Sequence, residues 1–114
     1  LTFRPAPVDK GVTFYRIDLP GRPAIKADVD HVIDVSRGTT IGLNGAEVHT
    51  VEHVLAAIAG LGIDNIDIEV DANEVPVGDG SSLQFMQTLK KAGLVEQDAP
   101  RKYITIREPV YYRD

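Results

Sequence analysis

The 114-residue chain has 43% hydrophobic and 25% charged residues, the proportions of a globular protein with one core rather than of a disordered or fibrous one. Seventeen acids against twelve bases give a formal charge of −5, and no Lys/Arg cluster offers a track for phosphates, which argues against DNA or RNA as a partner. Without cysteine, disulfides and thiolate ligands are excluded and any metal must rest on His, Asp or Glu; no apolar run reaches the roughly 18 residues of a membrane helix and no signal-peptide pattern opens the chain, so a cytoplasmic protein is expected.

Apolar residues recur at about every second position in residues 1–3, 12–19, 24–35, 39–43 and 63–70, which predicts strands. Pro5 and Pro7 separate the first two, Pro20-Gly21-Arg22-Pro23 forms a turn, and Asn44-Gly45 is a two-residue hairpin signal, so an antiparallel meander is expected. The period then changes. Val51, Val54, Leu55, Ile58 and Leu61 follow helical spacing, with Thr50 as the expected N-cap and Gly60 or Gly62 as the stop, which places a helix over 51–60. The acidic series Asp64, Asp67, Glu69 and Asp71 alternates with Ile66, Ile68 and Val70 and reads as the solvated side of the following strand. A second helix follows the Asp79-Gly80 turn: Ser81 or Ser82 caps it, Leu83, Met86 and Leu89 face inward, Lys90-Lys91 suit its negative end, and Gly93 terminates it. Residues 103–106 and 110–112 read as extended again, and His31 reads as a surface residue of a strand. The expected fold class is α+β: a two-layer sandwich whose mostly antiparallel sheet is covered on one face by two helices. Because strand-like runs lie at both Leu1 and Asp114, both ends read as cut.

The first helix carries the chemistry. Its apolar stripe faces one way, while Glu52 and His53 project on the other side with the small residues Ala56, Ala57, Ala59 and Gly60. Such a face suits close approach by another domain or a substrate, and it equally suits a helix rich in Ala because Ala favours helices. A neighbouring carboxylate and imidazole can supply the base and one ligand of a metal site, although an acid in a first helical turn is already explained by the helix dipole. His49 extends the pair to His49-Thr50-Val51-Glu52-His53, the H-x-x-E-H pattern of inverted zinc peptidases. That reading needs His49 inside the helix and a third ligand downstream, whereas Thr50 reads as the cap and the 81–92 helix has no acid.

Thr50-Val51-Glu52-His53, followed by Leu55-Ala56-Ala57 and Gly60-Leu61-Gly62-Ile63-Asp64-Asn65, resembles the bacterial UDP-3-O-acyl-N-acetylglucosamine deacetylases, zinc-dependent enzymes of lipid A synthesis. Leu1-Thr2-Phe3-Arg4-Pro5-Ala6-Pro7, Arg37-Gly38-Thr39-Thr40, Val75-Pro76-Val77 and Asp79-Gly80-Ser81 extend the similarity to almost the whole chain. The resemblance implies two similar α+β domains with the active site between them, residues 1–114 being the first domain without the family's N-terminal hairpin. It implies that His53 is one zinc ligand and that Glu52 is the general base for water attacking the acetamide. The other ligands, a His and an Asp, and a His assisting as an acid would lie in the second domain. Thr39 and Thr40 fall where the family has a loop near the zinc and are candidate substrate-pocket residues on that resemblance, or else ordinary threonines at a strand end. The implied substrate is a UDP-linked acylated amino sugar, whose diphosphate would need cations from the second domain because this chain is net negative. Alone, the chain is then expected to be inactive and to retain no zinc. The competing expectation is a stand-alone binding or scaffold module of the same fold without the chemistry.

Overall fold

The alternating segments close into two sheets rather than one. In the computed structural model, which describes residues 1–113, β1 (Thr2–Pro5), β2 (Val12–Arg16) and β3 (Ala24–Lys26) lead into β4 (Val32–Asp34), β5 (Thr40–Leu43) and β6 (Ala46–Val48). Helix α1 (Glu52–Gly60), β7 (Ile66–Val70) and α2 (Leu83–Ala92) follow. One sheet has the order β1-β7-β2-β3 and the other β4-β5-β6. Among the described residues no helix is long and apolar enough to cross a membrane.

The α+β class is as expected, and the sheets are mostly antiparallel, but the simple meander is not what forms. Strand β7 inserts between β1 and β2 and runs parallel to β2, from Val12 opposite Ile66 to Arg16 opposite Val70. A central position suits β7 because Ile66, Ile68 and Val70 are all buried and need cover along the whole strand. The register lines up Phe3, Ile68, Phe14 and Ile25 across the four strands. This row faces Val51, Val54, Ala57 and Ile58 in one core, where each fully buried large apolar side chain contributes about 1.5–3 kcal/mol. Ala57, expected on the small outer face of α1, is buried, whereas Ala56, Ala59 and Gly60 are exposed. Helix α2 contributes Leu89 to the core and sets Phe85 edge-on against Phe3, with ring centroids 6.4 Å apart.

The run 24–35, expected as one strand, is split. Asp28 bonds His31, a 3-10 turn spans Val29–His31, and the chain leaves the first sheet for the second there. His31 is thereby a half-buried turn residue rather than a strand residue. The hairpin signal holds: β5 and β6 pair antiparallel, and Asn44 and Gly45 have φ of 51° and 83°, the left-handed values that a two-residue turn of this kind requires. Residues 103–106 and 110–112, expected as extended runs, enter no strand ladder among the described residues, and Tyr103, Ile104, Ile106, Val110, Tyr111 and Tyr112 are exposed. Alternation alone cannot hold a strand whose backbone has no ladder partner. The stretch before them is tied down by polar contacts, Gln97 to the Ala6 carbonyl and Arg101 to Asp64 and the Gly62 carbonyl.

Candidate functional site

The chain enters α1 through a sharp turn. His49 forms a single parallel bridge with Glu74, its N–H donating to the Asn73 carbonyl at 2.8 Å and its carbonyl accepting from Val75 N–H at 3.2 Å. Thr50 follows with a left-handed φ of 59°, and its hydroxyl donates to Glu74 Oε1 at 2.9 Å. Thr50 therefore does not cap α1 as expected; Val51 occupies the cap position, without a side-chain hydrogen bond, because the Thr50 side chain is drawn toward Glu74. Val51 N–H reaches the Thr39 carbonyl at 3.4 Å, so the segment before β5 sits beside the first turn of α1.

Glu52 is the first residue of that turn. Its Oε1 accepts from Thr39 N–H, while Oε2 is buried and has no hydrogen-bond partner among the described residues. Leaving a buried carboxylate oxygen unsatisfied costs about 1–3 kcal/mol or more, and Asp67 Oδ1 in β7 is in the same condition. Burial pushes the Glu52 pKa up, but hydrogen bonds from its own N–H and from Thr39, together with nearby His53, outweigh it and hold the carboxyl below the ordinary glutamate value. Half-buried His53 lies next along the same turn, close enough to Glu52 and to Asp79 to act on both electrostatically. Asp79 itself accepts from the Ser81 N–H and hydroxyl, and Ser81 Oγ accepts from Leu83 N–H, so the 79–81 turn starts α2 as expected.

Of the two threonine candidates, Thr39 lies against Glu52 and Thr40 against His49. Thr39 contributes its backbone N–H to Glu52. Thr40, the first residue of β5, is 5% exposed, and its hydroxyl lies 3.0 Å from His49 Nδ1. It lines a polar cleft of about 400 Å³ that also includes Arg37, Gly38, His49, Thr50 and Glu74. His49 stands outside α1, so the two histidines of H-x-x-E-H do not share a helix and the zinc-peptidase arrangement is not formed. Sequence reasoning missed Glu74 and Gly38. Glu74 stood in a polar turn after β7 with nothing to link it to Thr50, 24 positions away.

The donors present suit one part of a zinc site. His53 offers an imidazole, and Glu52 offers a buried oxygen with no hydrogen-bond partner among the described residues. Among the described residues no group of three His, Cys, Asp or Glu side chains could share a metal ion, so further ligands would have to come from outside them.

The whole of residues 1–114 matches the family LpxC, UDP-3-O-acyl N-acetylglycosamine deacetylase. The chain is 50% identical over 114 residues to a UDP-3-O-acyl-N-acetylglucosamine deacetylase of Bdellovibrio bacteriovorus, covering 100% of this chain and 38% of that protein. It is 51% identical over 114 residues to a bifunctional enzyme LpxC/FabZ of Chlorobaculum tepidum, covering 100% of this chain and 24% of that protein. A deacetylase of the same name from Xanthomonas oryzae pv. oryzae is 45% identical over 114 residues, again 100% of this chain and 38% of the relative. The chain thus spans well under half the length of these relatives.

Proposed function

The chain belongs to the UDP-3-O-acyl N-acetylglycosamine deacetylase family, and from that premise we propose that it is the first domain of a two-domain, zinc-dependent deacetylase of lipid A biosynthesis. The substrate is UDP-3-O-acyl-N-acetylglucosamine, hydrolysed in the cytoplasm to acetate and the free amine. The observation that carries this reading is the Glu52 carboxylate, with one oxygen on Thr39 N–H and the other buried without a hydrogen-bond partner among the described residues, His53 following it in the same helical turn.

In this mechanism His53 provides one ligand from this chain. Zinc, when bound, supplies Lewis acidity toward the acetamide carbonyl and the attacking water. Glu52 takes the water proton on its free Oε2 while Thr39 N–H holds Oε1 in place, and it returns that proton to the leaving nitrogen. The depressed pKa keeps Glu52 ionised at neutral pH, and its place at the positive end of α1 works in the same direction. Thr39 and Thr40 border the substrate on this reading, Thr39 through the backbone beside Glu52. The second domain supplies the other ligands and the cations for the diphosphate, since this chain carries a formal charge of −5.

The test is deacetylation of UDP-3-O-acyl-N-acetylglucosamine by the full-length parent and its Glu52→Gln variant, with zinc content measured in both. Activity should fall at least about a hundredfold in the variant while zinc is retained. An active Glu52→Gln enzyme would remove Glu52 as the base. A parent that binds zinc but leaves this substrate intact would point to another substrate, and one that does neither would favour the scaffold module.

A further inference from the structure

We infer that Thr50 and Glu74 are positioning residues for Glu52, joined in a strained, hydrogen-bonded turn that aims the first turn of α1; the inference rests on the reading of Glu52 as the base. Thr50 is β-branched, yet its φ is 59°, a region that glycine enters freely and asparagine or aspartate more easily than threonine. Such a backbone is strained and persists only where the surroundings over-determine it.

Those surroundings are a pair of clamps. On one side, the bonds from His49 N–H to the Asn73 carbonyl and from Val75 N–H to the His49 carbonyl, 2.8 and 3.2 Å, fix His49 against residues 73–75. On the other, Val51 is fully buried, its N–H reaches the Thr39 carbonyl at 3.4 Å, and Glu52 Oε1 is bonded to Thr39 N–H. Thr50 is the single residue between the clamps, so its backbone angle sets the direction in which α1 departs and where the free oxygen of Glu52 lies. The Thr50 hydroxyl on Glu74 Oε1, 2.9 Å away, ties that angle to the same 73–75 segment. A glycine would accept the angle without strain, but it would also leave it without resistance. Threonine, stiff at χ1 and tethered, holds it. Glu74 is exposed, which frees it for substitution without loss of core packing.

The experiment uses the full-length parent with Thr50→Gly, Glu74→Ala and Glu74→Gln variants, measuring kcat, KM, zinc content, Tm and the Thr39 amide resonance. Gln keeps an acceptor for the Thr50 hydroxyl; Ala does not. Expected results are a fall in kcat of about tenfold or more in Thr50→Gly and Glu74→Ala, with KM and zinc content unchanged, and near wild-type values in Glu74→Gln. Relief of strain should keep the Tm of Thr50→Gly from falling, which separates lost aim from lost stability. The Thr39 amide proton, reporting its bond to Glu52, should shift in the two damaging variants and stay in place in Glu74→Gln. An unmoved Thr39 amide in Thr50→Gly and Glu74→Ala, or wild-type kcat in both, overturns the inference. A wild-type parent that fails to deacetylate defeats the functional reading instead, and the Thr39 amide still decides whether Thr50 and Glu74 position Glu52.

Discussion

At Gly38 the backbone has a φ of +152°, and a Cβ there would stand 3.2 Å from Glu52 Oε1. Both facts select glycine: the conformation is one that L side chains rarely adopt, and the added methyl would crowd the oxygen that Thr39 holds. If Glu52 is the base, as proposed, Gly38→Ala in the full-length parent should lower kcat by about tenfold as Glu52 is displaced, a misplacement being expensive for a group that must meet its proton within hydrogen-bond reach. Wild-type kcat in purified Gly38→Ala would mean that the loop yields instead of the carboxylate. Glu52 and His53 were legible as a pair because adjacent residues in a first helical turn need no tertiary knowledge to be placed together. Thr50 was misread for the opposite reason: a threonine before a helix is ordinarily its cap, and only the distant Glu74 explains why this one turns away.

Among the elements, β7 departs furthest from its sequence reading. Its acids were expected in solvent, but Glu69 is only 9% exposed, bonded to Arg4 at 2.8 Å and Arg22 at 2.5 Å, and Asp67 meets Lys10 at 2.5 Å. The bond to Arg4 first, and that to Arg22 after it, hold the Glu69 pKa below its ordinary value against the opposing effect of burial. A carboxyl whose folded pKa is depressed adds stability above its unfolded value, about 4.3, and loses it as pH falls through the folded value. Chemical denaturation of the 114-residue chain between pH 7 and pH 3 should therefore show a loss of stability below about pH 4.5 that is shallower in Glu69→Gln. Added salt should weaken the Glu69 contribution because Arg4 and Arg22 are more than half exposed. Identical pH slopes for the two proteins would show that these ion pairs carry no net stability. Alternation correctly marked which residues of β7 face the core, but a period of two cannot say what covers the other face.

For the whole molecule, the donor set of the described residues gives a test of the two-domain proposal. With no metal-holding group of three donors among the described residues, the 114-residue chain dialysed free of loose metal should retain no stoichiometric zinc by elemental analysis. Tight one-to-one zinc would overturn the proposal that the remaining ligands lie in a second domain. The chain's 24% to 38% coverage of its relatives agrees with that proposal, since those proteins have ample length beyond the part it matches.

What the sequence determined by itself is what local physics controls: the apolar periods of strands and helices, the Asn44-Gly45 hairpin, the Gly93 stop of α2, and the adjacency of Glu52 and His53. What only the tertiary structure decided is every relation across long separations: the parallel seat of β7 beside β2, the cations around Glu69, the bridge of His49 to Glu74, and the Thr39 N–H on Glu52. Periodicity and turn chemistry act over a few residues, whereas these contacts join segments from 13 positions apart, as for Thr39 and Glu52, to 65, as for Arg4 and Glu69. Their choice rests on which buried faces and buried charges can all be satisfied at once, and that is settled only when the core closes.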